Sequence, residues 1–221
     1  MDLNTTLWPG VAALTCAGLL AAIVPVVVRT LPAPVGVPPG WSYSARCGTG
    51  FPSRVAAAMG VALLVAFFGV DATARPSWAI LGTFGVFAAA VDARTGYLPA
   101  LLCRVAAAAA GLTVVVTALV RADAQFALTA LGGGALLTGI MWLVWRIGRG
   151  LGFGDVRLAA VIGVVSGTGG VWAALWSLAL GAVVGAGAGL VRGLCGKQGA
   201  FPFGPALVAG PFLAVLLGVA G

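Results

Sequence analysis

Histidine and glutamate are absent from this 221-residue chain, and only 8% of its residues are charged. Without histidine there is no Ser–His–Asp triad, and without both residues there is no HExxH zinc site. Charge this sparse excludes a water-soluble globule, in which about a quarter of residues are charged. The four cysteines, Cys16, Cys47, Cys103 and Cys195, are scattered, with no CxxC pair. That excludes a zinc ribbon or a dithiol redox pair and leaves them as small apolar fillers, Cys16 within a membrane span. No metal and no cofactor is expected. The N-terminal residues Met1-Asp2-Leu3-Asn4 carry no basic run. The first apolar stretch is therefore expected to be a retained span and not a cleaved signal.

What the chain does have is apolar length. It is 61% hydrophobic, with a mean hydropathy of +1.12. Several stretches approach the roughly 20 apolar residues needed to cross a hydrocarbon core. Continuous apolar runs, without the alternation of a barrel strand, call for helices, whose backbone groups are satisfied internally. The expected fold is an all-α integral membrane protein, a bundle of about eight transmembrane helices forming one domain over 1–221. The spans are expected near 6–28, 55–70, 77–93, 100–120, 126–145, 156–168, 171–191 and 203–220. The sixth is short and contains glycine, and Gly167, Gly169 and Gly170 suggest a break after it; the alternative is that six and seven form one bent element, which would change the topology. The one long polar connection, 29–54, holds Pro32, Pro34, Pro38, Pro39, Gly40, Gly48 and Gly50, a loop composition.

The net charge of +7 is not a nucleic-acid signature, because the basic residues punctuate spans and form no stripe. They set orientation instead. With the N-terminus outside, Arg29, Arg46, Arg54, Arg94, Arg104, Arg146, Arg149, Arg157, Arg192 and Lys197 all fall inside. Only Arg75 and Arg121 fall outside. Trp142, Trp145, Trp172 and Trp176 read as an interfacial belt.

Only five residues are acidic. Asp2, Asp71 and Asp123 fall in outside segments and read as solvated charges. Asp92 and Asp155 alone fall on the cytoplasmic side, each where an apolar helix meets a loop. Ionisable groups at membrane depth are costly and mark functional sites. Two converging carboxylates cannot both ionise easily and share a proton. One then activates water while the other donates to a carbonyl, which hydrolyses a peptide bond without histidine or metal. Such chemistry requires an approach of roughly 4–8 Å and a lateral opening for a substrate that arrives through lipid. Gly152 and Gly154 are expected to let the backbone turn beside Asp155, and Asp155 to cap the next helix and to be the more readily ionised acid. A competing reading makes Asp92 and Asp155 helix-end charges paired with Arg94 and Arg157, which otherwise anchor to lipid phosphate. A proton-conducting transporter would place ionisable groups near mid-span and show internal repeats, and neither is seen. A non-catalytic assembly scaffold is the remaining alternative.

The segment Gly152-Phe153-Gly154-Asp155-Val156-Arg157-Leu158 resembles the GxGD segment of prepilin peptidases, the type IV leader peptidases. Asp92-Ala93-Arg94-Thr95-Gly96-Tyr97-Leu98-Pro99 is similar to the first aspartate segment of that family. Phe201-Pro202-Phe203-Gly204-Pro205 is similar to its C-terminal PFGP segment. The resemblance covers about residues 78–215 and implies a GxGD-type membrane aspartyl protease with Asp92 and Asp155 as the catalytic pair. It implies a loop-shaping role for Gly152 and Gly154, and a structural or substrate-positioning role for Pro202, Phe203, Gly204 and Pro205. Its implied substrates are prepilins or pseudopilins, cut at the cytoplasmic face of the inner (plasma) membrane of a bacterium. The partners expected are those substrates and membrane lipid, not nucleic acid. Longer members carry a paired-CxxC insert linked to N-methylation, where 29–54 here has only Cys47. A short form with peptidase activity alone is expected.

Overall fold

The computed structural model describes residues 15, 17–19, 22–34, 36–148, 151–196 and 201–219. The calls on Asp2, Cys16, Arg149 and Lys197, and most of the span expected at 6–28, lie outside the described residues. Every regular element among the described residues is helical. Residues 22–30 are helical and are called α1. There follow α2 (Tyr43–Cys47), α3 (Phe51–Gly69), α4 (Arg75–Ile80), a π turn (Leu81–Gly85), α5 (Val86–Thr95), α6 (Ala100–Arg121) and α7 (Ala124–Ile147). The chain ends in α8 (Phe153–Ser166), a 3₁₀ turn (Gly167–Gly169), α9 (Val171–Leu194) and α10 (Gly204–Leu216).

Among the described residues, five helices are long and apolar enough to cross a membrane: α3, the α4–α5 rod (Arg75–Thr95), α6, α7 and α9. Their outer faces bear large apolar side chains that water would not tolerate at this density, among them Leu112, Leu119, Leu128, Trp172, Leu190 and Leu194. The chain is thus an all-α bundle that uses lipid as its solvent. The helix α8 matches the span expected at 156–168 in length, and α10 is shorter than the span expected at 203–220. At 1.5 Å per residue they are about 21 Å and 20 Å long, less than a hydrocarbon core of about 30 Å. They pack against longer helices, which shield their ends. α8 is largely enclosed, with Val156, Leu158, Ala159, Val161, Ile162 and Val165 all buried.

Two glycine seams set this packing. A Cβ on Gly163 of α8 would lie 2.8 Å from Gly134 Cα of α7, and one on Gly133 would lie 2.6 Å from the Gly163 carbonyl oxygen. A Cβ on Gly181 of α9 would lie 3.1 Å from Leu207 Cα of α10. Lipid supplies no hydrophobic force between helices, so close backbone approach and dispersion hold them together. The expected break after the sixth span is present. The 3₁₀ turn ends at Gly170, whose φ of +100° favours glycine.

The polar segment 29–54 is more structured than its composition suggests. Residues 51–54 already belong to α3, which starts with Pro in its first turn. Within the loop, Ser42 accepts the Ala45 N–H and starts α2, and Gly48, at φ +70°, ends it. The residues that close α2 against the bundle are Tyr43 and Cys47, both buried.

Candidate active site

One end of the bundle gathers the last turn of α5, the first turns of α6, α8 and α10, and α2. Asp92 lies on α5 four residues before Gly96, which ends the helix in the left-handed conformation at φ +73°. It therefore sits inside the final turn and not at the helix–loop junction expected from sequence. Asp155 is the third residue of α8, after the N-cap Gly152. It does not take the N-cap place expected for it. Its carboxylate instead reaches back to accept the Gly152 N–H at 3.1 Å. This is half of a capping box, since glycine has no side chain to return the bond.

Both carboxylates are buried, Asp92 at 4% exposure and Asp155 at 6%. Their burial is what distinguishes them from Asp71 and Asp123, which are exposed; Asp123 caps α7 by accepting the Phe126 N–H. Among the described residues, each buried aspartate finds a backbone amide and not a guanidinium. The Gly204 N–H donates to Asp92 Oδ2 at 2.9 Å across the bundle. Arg94 is exposed, and Arg157 stacks on the Phe153 ring at 4.7 Å. The Asp–Arg pairing weighed from sequence is not formed. The two acids lie within electrostatic reach of each other and of the buried thiol of Cys103, at the start of α6.

The glycines act by proximity. A Cβ on Gly204 would lie 2.8 Å from Asp92 Oδ2 and 3.3 Å from its Cγ. Only a bare α-carbon lets the start of α10 approach that carboxylate. A Cβ on Gly154 would lie 2.8 Å from Leu98 Cβ, so this glycine lets α8 abut the α5–α6 turn. It sits in a helical first turn and makes no sharp bend. Gly152 has φ −80° and ψ 150°, which any residue adopts, and its Cβ would meet nothing closer than 3.7 Å. The turn-making role expected of Gly152 and Gly154 is thus not what the backbone asks of them. Pro202 and Phe203 lie just before α10 and Pro205 in its first turn. The Phe203 ring occupies the space that a side chain on Gly185 would need.

Tyr43 is a neighbour the sequence did not single out. It is 2% exposed and packs edge-on to Trp41, with centroids 4.7 Å apart. Trp41 in turn meets Tyr97 at 5.4 Å. Burial first, then the Asp92 charge, push the Tyr43 phenol up to about 12, so it stays a neutral hydroxyl. No motif marks it; the hint was an aromatic pair, Trp41 and Tyr43, inside a loop rich in Pro and Gly.

The model of the type IV leader peptidase family matches residues 79–191, a stretch that includes both buried aspartates and Gly152–Gly154. The chain belongs to the type IV leader peptidase family. Neither the curated proteins nor the solved structures yield a match. The match makes this membrane protein a peptidase and its substrates prepilin-type chains. It stops short of Pro202, Phe203, Gly204 and Pro205, so the hydrogen bond from Gly204 to Asp92 ties a segment outside the match to one within it.

Proposed function

We propose that this leader peptidase is an aspartic endopeptidase whose catalytic groups are Asp92 and Asp155. The observation that carries the reading is a pair of buried carboxylates, each held by one backbone N–H, at one end of an apolar bundle. Two such acids share one proton. Asp155 stands in the first turn of α8, where the helix dipole favours a negative charge, whereas Asp92 stands in the last turn of α5, where it disfavours one. Asp155 is then the ionised partner and Asp92 the protonated one.

In the reaction Asp155 takes a proton from water as the water oxygen bonds to the scissile carbonyl carbon. Asp92 gives its proton to the carbonyl oxygen. When the tetrahedral intermediate collapses, that proton returns to Asp92, the C–N bond breaks, and Asp155 passes its proton to the departing amine. No metal, cofactor or covalent intermediate is needed. Gly204 fixes Asp92 from α10, and Gly154 fixes the start of α8. Pro202, Phe203 and Pro205 shape that same corner and position the substrate.

In this reading the site lies at the cytoplasmic face of a bacterial plasma membrane with the N-terminus outside, an orientation supported by the bias of basic residues. There the enzyme removes the leader of a type IV or Flp prepilin or a pseudopilin. The residues 1–221 act as one transmembrane domain in which 29–54 replaces a methyltransferase insert, and no methyl transfer accompanies cleavage. The test is co-expression with a prepilin in membranes, comparing the wild-type chain with Asp92→Asn and Asp155→Asn. Loss of processing in both variants, each still inserted, is expected. Full processing by either contradicts the aspartic mechanism and turns the reading toward a structural pair of helix-end charges.

A further inference from the structure

The tyrosine of α2 carries a hydroxyl that the fold does not use. Tyr43 is 2% exposed, and α2 packs on α5, the helix that bears Asp92. Trp41 holds the Tyr43 ring edge-on, and Tyr97, in the turn just after α5, holds Trp41. These contacts fix the ring, and a phenylalanine would make them equally well. They do nothing for the hydroxyl, which makes no hydrogen bond among the described residues. Nor is that oxygen sealed off. The enclosed side-chain polar atoms without a partner, among the described residues, are Ser166 Oγ and Arg192 Nε. The small exposed part of Tyr43 therefore includes its hydroxyl. An unpaired polar group at so buried a position costs stability and calls for a use.

Its surroundings narrow that use. The titratable groups within electrostatic reach of the hydroxyl are Asp92 on α5, Cys103 on α6 and Tyr97 in the turn between them. Of the nearby arginines, Arg46 stacks on Trp41 at 5.7 Å and Arg94 acts on Cys47. The acid that Tyr43 faces is thus Asp92. Gly204 occupies Asp92 Oδ2 and Gly152 occupies Asp155 Oδ2, which leaves Oδ1 of each acid for the reaction. In the aspartic mechanism Asp92 is the acid that protonates the scissile carbonyl oxygen. A donor beside Asp92 is a donor beside that oxygen.

We infer that Tyr43 is a third catalytic residue, whose hydroxyl donates a hydrogen bond to the scissile carbonyl oxygen as negative charge develops there. The inference rests on the aspartic reading and adds to it. The tyrosine keeps its proton throughout, while Asp92 delivers its own. The hydrogen bond strengthens as the carbonyl carbon becomes tetrahedral, so it favours the transition state over the bound substrate. Because the donor comes from 29–54, that segment does more than join α1 to α3. It completes the site, and cleavage requires α2 to be closed on α5.

The experiment measures cleavage of an intact prepilin by the full chain in membranes, over a range of substrate concentrations. It compares wild type with Tyr43→Phe, Asp92→Asn and Asp155→Asn. Tyr43→Phe keeps the ring and its packing, which an unchanged Tm in detergent verifies. It is expected to lower kcat at least about tenfold, the order that one such donor contributes or less, with KM within about twofold of wild type. Wild-type kcat in Tyr43→Phe, or a loss confined to KM, while both aspartate variants are inactive, would overturn the role of Tyr43 and leave the peptidase standing. Full cleavage by either aspartate variant would contradict the aspartic reading and this inference with it. A difluorotyrosine at position 43 supplies a second readout that packing alone does not move. It keeps ring and hydroxyl but ionises at lower pH, and only the protonated phenol donates. The alkaline fall in kcat is expected to move to lower pH. A fall that stays where wild type has it would overturn the proposal even if Tyr43→Phe is slow or unstable.

Discussion

Asp92 and Asp155 each accept one backbone N–H, but the amides come from different distances along the chain. Asp155 is held by Gly152, three residues earlier, within the turn that starts its own helix. Asp92 is held by Gly204, 112 residues later, on a helix that reaches it only once the bundle has closed. One half of the site is built by local geometry and the other by tertiary packing. The difference indicates where the site is fragile. A change near Asp155 acts on a turn that forms with its helix, whereas a change at Gly204 acts on a contact that the whole fold must deliver.

The largest expected effect follows directly. Gly204→Ala puts a carbon 2.8 Å from Asp92 Oδ2, so the carboxylate or α10 must move. Displacements near 1 Å at a reacting group cost about 100-fold in rate. Prepilin processing by Gly204→Ala should fall by about that factor while insertion is unchanged. Gly152→Ala, whose new carbon meets nothing within 3.7 Å, should stay within about threefold of wild type. Equal losses in the two variants would erase the contrast between the halves.

A smaller effect is expected where α8 meets the α5–α6 turn. Gly154→Ala would set its Cβ 2.8 Å from Leu98 Cβ, and should slow processing by about tenfold through a slight displacement of α8. Leu98→Gly in the same chain removes that Cβ and should restore part of the loss, measured as processing rate at equal protein. No recovery would mean that Gly154 serves the site in some other way. Deeper in the bundle, Gly163→Ala opens the seam between α7 and α8 and should destabilise the protein by about 1–3 kcal/mol, read as a lowered Tm in detergent. Processing at low temperature should change less than in Gly204→Ala, because the seam sets the position of α8 but touches neither carboxylate.

The smallest effect concerns the loop over Asp92. Burial pushes the Cys47 thiol up, against a weaker opposite pull from Arg94, so at neutral pH it remains protonated and slow to react. Cys195 is exposed. A membrane-impermeant maleimide added to both sides of the membrane should label Cys195 first and Cys47 only after unfolding. Rapid labelling of Cys47 in the folded protein would show that α2 does not stay closed on the bundle.

This same contrast explains what could be read from the sequence. The apolar runs gave the bundle and most helix limits, because a helix in lipid satisfies its own backbone. Asp92 and Asp155 stood out because buried acids are rare in such a chain, and the capping relation of Asp155 was visible in part because its partner is local. The expectation placed it at the N-cap, yet with glycine at the N-cap the third position is the one whose carboxylate can reach back. The role of Gly204 was not legible, since nothing in Pro202–Pro205 says which helix it will meet. Nor was that of Tyr43, which a loop composition concealed. The shortness of α10 was also hidden, because hydropathy counts apolar residues and does not mark where a helix ends, whereas the short, glycine-containing sixth span was expected.

The most direct test of the central claim, that Asp92 and Asp155 act as one catalytic unit, is a double-mutant comparison. Single-turnover cleavage of an intact prepilin would be measured for wild type, Asp92→Asn, Asp155→Asn and the double variant. Each single change should cost about 10²–10⁴-fold. The double variant should be no slower than the slower single one, because a unit broken once has nothing left to lose. Losses that multiply in the double variant, or a single variant that cleaves at the wild-type rate, would contradict the account.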